Sequence, residues 1–223
     1  QQAQRRMRNE PRARNERFDA NLRRFDALSL GRGARDETRT TVNTHSRVVT
    51  DSAPHVVVPA GATSLRGCVY DRTSLITVTL PASLTTIDSH TFSGCTSLTA
   101  LTLPRSGSAS LTTIGDSAFA DCTSLTNITL PAPLHTIGNF AFAGCTSLTT
   151  IALPAPLHTI GNFSFSRCTS LTTITLPASI TSIGAFAFSG ASLTTIAVPS
   201  TSVSASDQRA FHNLPRGARV SYW

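Results

Sequence analysis

Six phenylalanines recur at a near-constant interval. Phe92, Phe119, Phe142, Phe165, Phe188 and Phe211 are separated by 27, 23, 23, 23 and 23 residues. Six prolines keep step: Pro81, Pro104, Pro131, Pro154, Pro177 and Pro199 are 23, 27, 23, 23 and 22 apart. Cys95, Cys122, Cys145 and Cys168 share the frame. A fixed period of this length marks a stacked-repeat architecture, in which a unit buries its apolar face against its neighbours because it cannot do so alone. The four extra residues in one interval lie in the small-residue run Arg105-Ser106-Gly107-Ser108-Ala109-Ser110. The one-residue shortfall falls where Ala191-Ser192-Leu193 stands for Cys-Thr-Ser-Leu.

A full unit opens at Leu125, where Leu125, Ile128 and Leu130 form L-x-x-I-x-L. The last step alternates, as a strand with one buried face requires. Pro131 ends that strand by removing a donor and fixing φ. Leu134 and Ile137 begin a second arc, Gly138 permits a turn, and Ala141 and Phe142 return to the interior. Coils spaced like strands rise about 4.8 Å each. Leu98, Leu125, Leu148 and Leu171 are expected to form one buried column.

This register resembles the BspA-like leucine-rich repeats, whose 23-residue units read L-x-x-I-x-L-P…I-G-x-x-A-F-x-x-C-x-S-L. The match is close over Leu98–Val198 and decays at both ends. Val69 and Arg72 stand for the Phe and Cys of the first coil, and Val203, Leu214 and Val220 replace Leu and Ile in the last. Degenerate ends suit caps. The resemblance implies a solenoid used for protein binding, often in surface or adhesive proteins, with no catalytic residues to carry over. The expected fold is therefore a leucine-rich-repeat solenoid of about seven 23-residue coils, β-rich with a short strand per coil, with an N-terminal helical basic arm. The expected boundaries are 1–33 for the arm, 34–55 for a linker, and 56–223 for the solenoid.

Charge is concentrated at one end. All 19 basic residues are arginine, and the formal charge is +7. Residues 1–50 hold 12 Arg against six acids, a net of +6, which leaves +1 for residues 51–223. Such asymmetry points to an arm that meets an acidic or anionic partner. Arg5, Arg6, Arg8, Arg12 and Arg14 supply its charge. Phe18, Leu22 and Phe25 fall on one face of an expected helix, ended by Gly31 and Gly33. That face docks either on the first coil or on a partner. Guanidinium groups suit phosphate as well as carboxylate, so rRNA of an organellar ribosome stands beside protein as the arm's target.

The remaining columns divide between packing and binding. A ladder of one Cys per coil does not converge as a tetrahedral zinc site requires, and buried free thiols acting as small hydrophobes fit it better. His135 and His158 occupy one repeat position and should stack as a solvated pair. Phe140, Phe163 and Phe186 each lie two before a core Phe. They fill the core if the arc there is extended, and form an exposed partner-docking stripe if it turns. No nucleophile elbow, H-E-x-x-H or phosphate-binding glycine loop occurs. No run of 18 apolar residues is present to span a membrane. The expected function is a non-catalytic interaction scaffold, an accessory structural subunit of a larger assembly, with protein partners, no cofactor and no small-molecule substrate. A cell-surface adhesin or receptor module is the rival. The absence of an apolar signal-peptide core after Gln1 and the odd number of five Cys favour an intracellular, organellar setting.

Overall fold

The structure is a computed structural model that describes residues 46–47, 54–66, 73–103, 109–199 and 209–223. Two series of short parallel strands alternate along the chain. The first is β2 (His55–Val57), β4 (Thr77–Thr79), β6 (Ala100–Thr102), β8 (Asn127–Thr129), β10 (Thr150–Ala152), β12 (Thr173–Thr175), β14 (Thr195–Val198) and β15 (Arg219–Tyr222). The second is β1 (Ser46–Arg47), β3 (Ser64–Arg66), β5 (Thr86–Ile87), β7 (Thr113–Ile114), β9 (Thr136–Ile137), β11 (Thr159–Ile160) and β13 (Ser182–Ile183). Each pairing joins residues of equivalent repeat position, as in Ile128 with Ile151 and Ile137 with Ile160. Where one strand per coil was expected, there are two, because the Thr-Ile step after the proline turn is also extended.

The local chemistry explains the corners. After β2, β4, β8, β10 and β12 a proline carbonyl accepts a bond from the N–H three residues on, as in Leu134 to Pro131 at 3.1 Å and Leu157 to Pro154 at 3.0 Å. Where it is described, the third side of the coils is a run of turns, and no α-helix occurs among the described residues. Its amides bond to the following coil: the N–H of Phe119 reaches the carbonyl of Ala141 at 2.8 Å, and that of Phe142 the carbonyl of Ser164 at 2.8 Å. These main-chain amides are thereby satisfied without helix or strand pairing.

The core is a set of columns. Leu98, Leu125, Leu148 and Leu171 are fully buried in register, as expected. Core phenylalanines stack from Phe92 to Phe211 with ring centroids 5.2–5.8 Å apart. The Thr residues beside the strands bond their hydroxyls to the preceding coil, as Thr149 does to the carbonyl of Thr126 at 3.1 Å.

The second series forms one continuous seven-stranded sheet, while the first splits into three, between β6 and β8 and between β10 and β12. The first break flanks the small-residue insertion. The stretch 34–55, expected to be a linker, contains β1, which pairs with β3, and the first residue of β2. The ladder thus starts earlier than hydrophobic spacing suggested, because main-chain pairing needs no apolar side chain. The expected helical arm, residues 1–33, lies outside the described residues.

Candidate functional site

The outward turn before Phe119, Phe142, Phe165 and Phe188 is built by glycine, at Gly115, Gly138, Gly161 and Gly184. A Cβ on Gly161 would sit 2.5 Å from the main-chain nitrogen of Asn139, and one on Gly184 would sit 2.3 Å from that of Asn162. No side chain fits there, so the coils approach backbone to backbone. The residues after Gly115, Gly138 and Gly161 then bond forward along the stack. Asp116 Oδ1 accepts the N–H of Asn139 at 2.7 Å, Asn139 Oδ1 that of Asn162 at 2.8 Å, and Asn162 Oδ1 that of Ala185 at 2.7 Å.

The next position is left-handed in coil after coil: His90, Ser117, Phe140, Phe163 and Phe186 have φ of 61°, 54°, 55°, 55° and 60°. This region is costly for a bulky side chain and is usually given to Gly or Asn. The left-handed step swings residue i−2 away from the core. Phe140, Phe163 and Phe186 accordingly stand half-buried on the outside of the turn. They stack at 5.0 and 5.1 Å, and His212 packs edge-on against Phe186 at 5.4 Å. Of the two arrangements open to this column, the turned one is realised. The amide ladder beside it was missed in the sequence, although Asp116, Asn139 and Asn162 repeat at 23 residues. Arg5, Arg6, Arg8, Arg12, Arg14, Phe18, Leu22 and Phe25 lie outside the described residues.

The cysteine column is interior. Cys122, Cys145 and Cys168 donate to the carbonyls of Phe92, Phe119 and Phe142 at 3.1, 3.2 and 3.2 Å. Burial holds Cys122 and Cys145 well above the usual thiol range and pushes Cys168 up to about 12. These are protonated, packed thiols rather than nucleophiles or ligands. His135 and His158 are exposed and stack in parallel, with centroids 5.4 Å apart. Among the described residues no group of three or more His, Cys, Asp or Glu could hold a metal ion. Nor, among them, is any helix long and apolar enough to cross a membrane.

Parallel coils with inward Leu, Ile and Phe columns and a turned, glycine-pinned third side define a leucine-rich-repeat solenoid. Residues 49–108 and 106–216 match the model of the BspA type leucine rich repeat region in six copies, and the chain belongs to that family. It is similar to the T. pallidum leucine rich repeat protein TpLRR (26% identity, 82% of this chain and 84% of that one, TM-score 0.56). It is also similar to a leucine-rich repeat protein from Bacteroides ovatus (28% identity, 66% of this chain and 43% of that one, TM-score 0.50). A leucine rich cell surface protein from Faecalibacterium prausnitzii shares the fold (24% identity, 76% of this chain and 55% of that one, TM-score 0.51). A search of curated proteins found no match.

Proposed function

We propose that this chain is a non-catalytic scaffold that serves as an accessory structural subunit of a larger assembly and engages a protein partner through the Phe140–Phe163–Phe186 stripe. One observation carries the reading. Three bulky rings occupy left-handed positions, each at a backbone cost of about 1–2 kcal/mol, and remain half-buried on the surface. Strain of this kind that brings no full burial in return is what a binding surface leaves behind. Stacked, rigid aromatic rings also lose little entropy on docking, which makes them good anchors. The basic arm, with Arg5, Arg6, Arg8, Arg12 and Arg14 for charge and Phe18, Leu22 and Phe25 for grip, adds long-range attraction to the same assembly.

The test is capture on the tagged full chain from its source cells, with and without nuclease, followed by mass spectrometry. A partner retained after nuclease, lost in the F140S/F163S/F186S variant and weakened by deletion of residues 1–33 supports the reading. Capture that nuclease abolishes gives the binding role to rRNA and the arm instead. A triple variant that captures as the parent does removes the stripe from the function.

A further inference from the structure

The break between β10 and β12 opens a groove of about 380 Å³ on the outer face of the first strand series. The two strands lie side by side but belong to separate ladders. Their inward residues Ile151 and Ile174 are 8% and 4% exposed, against 0% for Val78 and Ile196 within unbroken ladders. The hydroxyl-bearing residues Thr150, Thr173 and Thr175 rim the groove. All three are exposed. Thr149, which is also exposed, has its hydroxyl committed to the carbonyl of Thr126. Trp223, 58% exposed, supplies one wall, and its main-chain N–H donates to the carbonyl of Val198 at 3.1 Å.

We infer that this groove binds a neutral saccharide. An exposed indole presents a negative π face, which suits the polarised C–H groups on one side of a pyranose ring. Hydroxyls both donate and accept, so three threonines at the rim of the groove match the alternating donors and acceptors of a polyol. Among the described residues no charged one lines the groove, so an anionic sugar or a phosphate meets no counter-charge from them. A volume of this size falls in the range of small-molecule sites, about 300–1,000 Å³. The remaining wall is apolar, as recognition clefts with a few placed polar groups commonly are.

The chain holds a single tryptophan, so its emission reports on this groove alone. The full chain is titrated with laminarihexaose, cellohexaose and chitohexaose, and in parallel with decaproline and a heparin hexasaccharide. A saturable change in emission with at least one neutral oligosaccharide is expected. T173V/T175V weakens that binding about fivefold or more, the effect of losing one or two hydrogen bonds, while T195V, on β14 outside the groove, leaves it unchanged. By calorimetry W223F keeps part of the affinity and W223A loses it, with melting curves confirming that each variant is folded. Silence with all three neutral oligosaccharides overturns the proposal, as does a response confined to decaproline or to heparin.

Discussion

Phe163 and Phe165 are separated by one residue and lie on opposite sides of the wall. Phe165 is fully buried between Phe142 and Phe188, whereas Phe163 sits half-exposed on a left-handed turn between Phe140 and Phe186. Phe165→Ala is expected to cost about 3–5 kcal/mol, as for large-to-small changes in a close-packed core. Phe163→Ala should cost about 1 kcal/mol, since it surrenders a half-buried contact and keeps the fold. Denaturant midpoints of the two variants decide the matter, and equal losses would contradict the assignment of inside and outside.

Ser164, the residue between them, is fully buried, and its hydroxyl finds no hydrogen-bond partner. The same position is Ala118, Ala141 and Ala187 in neighbouring coils, all fully buried. Ser164→Ala removes the desolvated hydroxyl without opening a cavity and should stabilise by about 1 kcal/mol. For a domain of this size that is a rise in Tm of about 2–4 °C. A lower Tm would mean that the hydroxyl is satisfied after all.

Gly161→Ala tests the close approach of coils. The new methyl would lie 2.5 Å from the main chain of the preceding coil, where backbone cannot yield cheaply. A loss of about 1–3 kcal/mol is expected, measured by thermal melting of the full chain. An unchanged Tm would show that the coils sit farther apart than described.

The thiol column should give alkaline lability. Burial raises the folded-state pKa of Cys122, Cys145 and Cys168, against about 8.5 for an unfolded thiol. A raised pKa means that the native state holds protons that the unfolded state releases. Their contribution to stability is therefore full below about 8.5 and is lost as pH climbs toward the value of about 12 for Cys168. Melting of the C122A/C145A/C168A variant should decline less steeply across that window than melting of the parent, and matched slopes would refute the linkage. Native protein should also leave these thiols unmodified by Ellman's reagent at neutral pH.

Much of the solenoid was legible because its determinants are periodic and local. The 23-residue return of Phe119, Phe142 and Phe165, with Pro131 and Pro154 in step, carries register, corners and core together. The side of the wall taken by Phe163 was not legible. It depends on the sign of one φ, and phenylalanine gives no local signal for the left-handed region, which glycine or asparagine would have given. β1 was hidden for another reason, since Ser46–Arg47 joins the ladder through main-chain groups that leave no apolar pattern. The groove beside Trp223 depends on which ladder is interrupted, a property of stacking geometry rather than of any one repeat.

The amide ladder and the forward bonds of the third side tie each coil to the coil beside it, as Phe119 is tied to Ala141 and Asn139 to Asn162. Loosening therefore has to travel like a zip. A coil at either end can detach while those inside keep both neighbours, so free energies of opening should rise from the ends toward the middle. In hydrogen–deuterium exchange, the amides of Phe119, Phe142 and Phe165 should be the last to take up label. Those of β2 and β15 should be among the first, which would make the array a graded structure rather than a single all-or-none body.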